Sequence, residues 1–291
     1  MIKVILQGGL GNQMFEYAAT YALAQKMQRP FALDLSFMDV FEHKPWCRPY
    51  ELSVFSLHNA TTFTHDKHIM VRLLPRLRTW CRQHGISTFC RYVFEMERLE
   101  SVPKYNSLIL FDYFANCHLF EQYREDLLQA FVCAEKPNES NAKYLKEITE
   151  TNSVSVHIRR GDYLNSVNNN VFYHPMVEWY RRAIEKIEQE VIEPHYYFFS
   201  DDIAWVKDQF SDVRDATFVD INQGKNAYND MRLMSACKHN IIANSTFSWW
   251  GAWLNTNSQK IVIAPQKYYK DENSNKKYID HMIPTNWITI E

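Results

Sequence analysis

Arg159 and Arg160 stand side by side at the end of the apolar run Val154–Ile158, and Gly161 and Asp162 follow them. Charge at the end of a buried strand is costly unless it meets an anion. A guanidinium fork matches the oxygens of a phosphate or diphosphate. Strand alternation sends Arg159 to the face of His157 and Arg160 to the opposite face. One arginine then faces a ligand while the other pairs with Asp162 or a further carboxylate. The bland reading, a structural Arg160–Asp162 pair, leaves Arg159 unexplained.

Three other strand ends carry suitable groups. Phe199, Ser200, Asp201 and Asp202 close a second apolar run. One of these carboxylates is expected to cap the following helix. The other is left free to accept hydrogen bonds from a ribose or a guanine. Asn244, Ser245, Thr246 and Phe247 lead into SWWGAW, where hydroxyls and a helix start form an anion cradle. Trp249 and Trp253, spaced i, i+4, read as packing residues rather than a sugar platform. Near the N-terminus, Gly8, Gly9, Leu10, Gly11, Asn12 and Gln13 join a strand to a helix starting near Asn12. The glycines permit close approach of a ligand or a positive φ. Their spacing is neither the GxGxxG dinucleotide pattern nor a P-loop, and a tight turn with no ligand explains them equally well.

The elements that must position these groups alternate. Residues 2–7 and 31–35 read as strands around a helix at 12–28. The runs at 154–158, 196–200, 216–221, 240–244 and 260–264 alternate with helical patterns at 176–192, 202–210, 228–238 and 246–255. Continuous apolar strands between helices belong to parallel sheets covered on both faces. The expected architecture is α/β, with two Rossmann-like domains of parallel sheet, residues 1–140 and 141–291, facing a cleft. The polar string Pro137–Ser140 is the expected boundary loop. Between residues 40 and 150 the pattern yields only a strand at 108–111, a helix at 119–131 and a basic amphipathic run, Arg72–Arg82, expected to be a solvated helix face.

Composition narrows the function. A formal charge of −2 argues against nucleic acid as a partner. The six cysteines have no paired spacing, which favours reduced thiols in a cytoplasmic protein. The first apolar run is too short for a secretion signal or a membrane span. Two anion-binding helix starts, an arginine and one or two carboxylates describe a nucleoside-diphosphate site. No DxD metal motif occurs, so no metal or cofactor is expected.

The strings GGLGNQMF, HIRRGDY, FSDD and DMRLMSACKHNIIANSTFSWWGAWL, in this order, closely resemble the α-1,2-fucosyltransferases of glycosyltransferase family 11. The resemblance covers nearly the whole chain. It implies a GT-B-like fold, with an acceptor-side N-terminal domain and a donor-side C-terminal domain. It also implies inverting, metal-independent transfer of L-fucose from GDP-fucose to the 2-hydroxyl of a galactose-terminated oligosaccharide. By the same resemblance Arg159 meets the donor diphosphate and His157 lies by the nucleotide. Asp202, or else Asp201, reads the guanosine. Arg160, Asn244, Ser245, Thr246 and Phe247 belong to the donor site, and Gly9, Leu10, Gly11, Asn12 and Gln13 close over donor and acceptor. Asp162 is the candidate proton acceptor, with a purely structural role as its alternative. A bacterial cytoplasmic location follows, extending to peripheral association with the inner membrane on lipid-linked glycans. Two positions depart from the family pattern: Glu16 stands where glutamine is common, and Asp112–Cys117 lacks the expected glycine-aromatic-tryptophan-glutamine string. The rivals are a transferase of the same fold using another GDP-sugar, a noncatalytic carbohydrate-binding protein, and, against the glycine spacing, an NAD(P) oxidoreductase.

Overall fold

The computed structural model describes residues 1–57, 61–64, 68–161 and 170–291. They form two compact units, Met1–Glu135 and Lys136–Glu291. Each is an α/β layer structure around a six-stranded sheet.

In the first unit, β1 (Ile2–Ile5) feeds α1 (Leu10–Met27), β2 (Phe31–Asp34) and α2 (Ser36–Phe41). Then come β3 (Thr61–Phe63), α3 (His68–Gln83), the short pair β4 (Thr88–Phe89) and β5 (Tyr92–Val93), β6 (Leu108–Leu110) and α4 (Arg124–Ala130). The sheet order is β3-β2-β1-β6-β5-β4, parallel except for the β4–β5 hairpin. The short, irregular strands between residues 55 and 95 explain why periodicity found little there: two- and three-residue strands cannot display a period. The expected helix at 119–131 is split, with 3-10 turns at Cys117–Leu119 and Glu121–Tyr123 preceding α4. Helix α1 begins at Leu10, two residues before Asn12, because Gly9 serves as its cap.

The second unit runs α5 (Glu139–Glu150), β7 (Asn152–Ile158), α6 (Val177–Glu190), β8 (Pro194–Ser200), α7 (Ile203–Gln209), β9 (Ala216–Phe218) and α8 (Tyr228–Ala236). It ends with β10 (His239–Ile241), α9 (Thr246–Leu254), β11 (Val262–Pro265), α10 (Glu272–Met282) and β12 (Ile288–Ile290). All its strands are parallel, in the order β12-β11-β10-β7-β8-β9. Val154, Val156 and Ile158 of β7 pack with Trp179, Ile184, Ile187 and Phe198 in one core. Burying each such side chain stabilises the fold by about 1.5–3 kcal/mol. The boundary between the units falls between Glu135 and Lys136, just before the expected loop, and of the string Pro137–Ser140 only its first two residues precede the helix: Asn138 caps α5, its Oδ1 accepting from the Asn141 N–H at 2.9 Å. Polar residues that suit a linker suit an N-cap equally well.

Both sheets reverse their strand order next to their first strand, between β1 and β6 and between β7 and β10. In open α/β sheets, ligands bind outside the carboxyl ends of the strands at such a switch point. The loops there are Gly8–Gly9, Phe111–Tyr113, Arg159–Gly161 and Asn244–Ser245.

Helix α9 is fixed from behind. Trp249, Trp250 and Trp253 are buried, Trp249 Nε1 donates to the Met282 carbonyl, and the Trp249 and Trp253 rings stack at 6.1 Å. The tryptophans are core, as their spacing predicts. On the α8 side, a Cβ at Gly251 would lie 3.0 Å from Met234 Cβ. Gly251→Val is therefore expected to destabilise the protein by about 1–3 kcal/mol through overpacking, read as a lowered midpoint of urea unfolding, with Gly251→Ala falling between.

Candidate active site

Strand β7 carries buried residues on both faces up to Ile158, and the chain turns solvent-ward at Arg159. The guanidinium of Arg159 then meets Asp201, at the end of β8, with Nη1 2.9 Å from Oδ2. The other oxygen of Asp201 accepts the Arg160 backbone N–H at 2.9 Å. One carboxylate therefore holds both the turn and the cation. That contact requires Gly161, since a Cβ there would lie 2.3 Å from Asp201 Oδ2. The glycine is an empty volume here, not a special dihedral.

Arg160 takes a different partner from Arg159. Its Nε donates to Asp202 Oδ2 at 3.1 Å, and its guanidinium lies 3.6 Å above the Trp205 ring. Asp202 also caps α7, accepting the Trp205 N–H at 3.3 Å. Asp202 is thus the capping carboxylate, as one of the pair was expected to be, whereas Asp201, expected to be free, is held by Arg159 and the Arg160 N–H. The reason is local charge: two arginines emerge beside two aspartates on the adjacent strand, and each pair closes. Asp162, the candidate proton acceptor, lies outside the described residues. Asp202 supplies the carboxylate partner of Arg160.

His157 is buried, with no hydrogen-bond partner for Nδ1 among the described residues. Burial, and then the nearby Arg159 charge, push its pKa down to about 4, against a smaller opposing pull from Asp201. The imidazole is neutral at pH 7. Its ring lies 5.7 Å from Phe247 across the sheet. That neighbour is delivered by β10, which pairs with β7 in the register Ile241↔Val156. Ser245 caps α9, its Oγ accepting the Phe247 N–H at 3.3 Å. Asn244 is buried and donates from Nδ2 to the carbonyls of Tyr173 and Tyr268. Thr246 opens the helix, half-buried. His157, Arg159, Phe247 and the first turn of α9 thus come together at one switch point. The surroundings combine a held cation with the positive end of a helix.

At the corresponding place in the first unit, Gly8 adopts φ +72° and Gly9 caps α1. Gln13 is fully buried, donating from Nε2 to the carbonyls of Gly8 and Pro49 at 2.8 Å each and accepting the Glu51 N–H at 2.9 Å. Its amide shapes the loop. Leu10 and Gly11 are buried as well, while Gly9 and Asn12 keep some exposure.

The sequence model of glycosyl transferase family 11 matches residues 1–291. The chain belongs to this family. It is 35% identical over 297 residues to the O-antigen biosynthesis glycosyltransferase WbnK of Escherichia coli, covering 96% of this chain and 98% of that one. It is 33% identical to an α-1,2-colitosyltransferase of Escherichia coli, covering 98% and 97%. A galactoside α-(1,2)-fucosyltransferase 2 of Gorilla gorilla gorilla is 25% identical, covering 88% of this chain and 69% of its own length. Among solved structures, the NodZ α-1,6-fucosyltransferase co-crystallized with GDP superposes with a TM-score of 0.51 at 15% identity, covering 86% and 91%. That likeness supports the GT-B-like fold.

Two features of this family 11 glycosyltransferase were invisible in the sequence. The first is the clamp of Gly161 and Asp201 on Arg159. The second is a network behind the glycine loop. There Arg78 donates to Gln7 Oε1 at 3.3 Å and contacts Asp112 at 3.5 Å, and Arg82 donates to the same carboxylate. Helix α3 is therefore not simply a solvated basic face. Glu16 lies beside this network, fully buried. Its Oε2 accepts the Gln7 N–H at 3.0 Å, and its Oε1 has no partner among the described residues. Burial, more than any charge, raises its pKa well above the usual carboxylate range. A neutral carboxylic acid there has the shape of the glutamine common in the family.

Two outcomes follow from this geometry. In Gly161→Ala, Asp201 must leave Arg159, so kcat is expected to fall about 10–100-fold, by analogy with lost transition-state donors, while circular dichroism stays that of the wild type. In Glu16→Gln, activity should persist. The wild-type fold holds a proton that the unfolded chain releases, so its stability falls as pH rises out of the ordinary carboxylate range. The glutamine variant lacks that loss. Melting curves between about pH 4.5 and 7.5 should therefore open a gap of about 2–4 °C or more in its favour.

Proposed function

We propose that this glycosyltransferase moves L-fucose from GDP-β-L-fucose to the 2-hydroxyl of a terminal β-galactoside, with inversion and without a metal ion. The observation that carries the reading is Arg159, held by Asp201 at the sheet's switch point beside the start of α9. In this mechanism the acceptor hydroxyl oxygen attacks the anomeric carbon as the bond from that carbon to the β-phosphate oxygen breaks. GDP leaves with the bonding electrons. Negative charge grows on the β-phosphate, where the Arg159 guanidinium and the α9 helix end oppose it. Such groups act most strongly in the transition state, which is where they raise kcat. The neutral His157 packs against the nucleotide, and Asp202 reads the guanosine while still capping α7. Asp162 takes the proton.

The α-1,2 linkage is supported by two relatives, the α-1,2-colitosyltransferase and the galactoside α-(1,2)-fucosyltransferase 2. The first favours a second reading, in which the donor carries colitose, which is fucose without its 3-hydroxyl. A site that hydrogen-bonds that hydroxyl rejects the deoxy sugar by a factor on the order of 10⁴. Competing the two donors for one β-galactoside, with chelator present, separates the readings. The fucosyl reading requires fucose in the product, joined α-1,2 by NMR. A product dominated by colitose, or activity that vanishes with chelator, would overturn it. Arg159→Ala is expected to lower kcat by about 10²–10³, with Arg159→Lys recovering only part because a lysine cannot fork across two oxygens.

A further inference from the structure

The first unit has its own cavity, of about 470 Å³, at the switch point between β1 and β6. Gln7, Gly8 and Tyr113, which follow those two strands, form its floor. Four arginines line it, Arg48, Arg72, Arg76 and Arg78, and no carboxylate does among the described residues. Arg48 is paired with Glu51 at 3.0 Å and Arg78 with Asp112 at 3.5 Å. Arg72 and Arg76, one turn apart on α3, are exposed and make no ion pair among the described residues. The cavity therefore carries two guanidinium charges that the described protein does not neutralise.

The opposite wall is aromatic. Trp46 is 56% exposed, and its ring is braced by Phe41 at 5.3 Å and Phe37 at 6.2 Å. Tyr113 is also partly exposed. An aromatic ring braced from behind and open in front suits the apolar face of a sugar ring. An arginine pair beside it suits an anion on that saccharide. A neutral glycan would leave both charges idle, and an apolar ligand would have to desolvate them.

We infer that this cavity binds the acceptor and that the acceptor is an acidic saccharide, bearing a carboxylate or phosphate that Arg72 and Arg76 engage while Trp46 stacks on a sugar ring. This rests on the proposed transfer to a β-galactoside and deepens it by naming the substrate class. The sugar carboxylate and the reducing-end phosphate share one chemistry, and the test separates them.

Binding to the full chain without any donor is measured by calorimetry for three ligands: lactose, lactose 1-phosphate, and a disaccharide of galactose on glucuronic acid. At least one acidic ligand should bind about tenfold or more tighter than lactose, the factor expected for a charge-assisted contact. Which one wins identifies the source of the anion. The preference should shrink to within about threefold in the Arg72→Gln/Arg76→Gln double variant and at high salt. Trp46→Ala should weaken all three ligands. Both arginines are exposed, so the double variant is expected to melt with the wild type. Equal binding of the three ligands by the wild type would overturn the inference, as would a preference that survives in the double variant. So would a double variant that loses GDP affinity instead, which would give the cavity to the donor. Because no donor is present, a wrong donor assignment leaves this result standing, and failure here leaves the donor assignment standing.

Discussion

One carboxylate governs the candidate active site of the second unit. Asp201 holds the Arg159 guanidinium with one oxygen and the Arg160 backbone with the other, in a space that Gly161 leaves empty. An arginine left to itself samples many rotamers and loses entropy on meeting a phosphate. Bound to Asp201 before the donor arrives, it has already lost that freedom. Preorganised charge of this kind stabilises a transition state without reorganisation at the moment of reaction. Everything else at this switch point serves the clamp. Asp202 and Trp205 hold Arg160, and the register of β7 with β10 brings the start of α9 alongside.

The first unit differs in strand order, with a β4–β5 hairpin at one edge of its sheet, but it too has a switch point beside its first strand. Its switch point is backed by a buried acid, Glu16, kept neutral by its surroundings, and by Asp112 bridged to Arg78 and Arg82. Glu16 receives the Gln7 N–H just where β1 gives way to the glycine turn, and Gln13 ties the same turn to Pro49 and Glu51. A charged carboxylate at Glu16 would need desolvating at a cost that one backbone N–H does not offset. The positive excess is pushed outward to Arg72 and Arg76. Charges within the unit are paired or neutralised, and its unpaired cations, among the described residues, include the exposed Arg72 and Arg76.

The strings that resemble the family each include residues that follow the end of a strand, which is why so much of the second unit was legible. Strands such as β7, buried on both faces, read as continuous apolar runs, and the loops after them stand out by contrast. Residues 40–150 were hard to read because strands β3 to β6 span two or three residues and helix α3 turns two of its arginines, Arg78 and Arg82, toward Asp112 while leaving Arg72 and Arg76 exposed. The split of 119–131 into turns and α4, and the capping role of Asn138, were likewise hidden: the same polar residues serve loops and caps.

Sequence alone determined the α/β class, the presence of two largely parallel sheets, and the burial of Trp249 and Trp253. These follow from periodicity and side-chain size, which are local properties. Tertiary structure decided which carboxylate each arginine meets, that neither Asp201 nor Asp202 stays free, that Gln13 shapes its loop, and that Glu16 is neutral. Each of these depends on which residues face one another across strands distant in the chain. Hydrogen bonding and desolvation act over a few ångströms of space, not along the sequence.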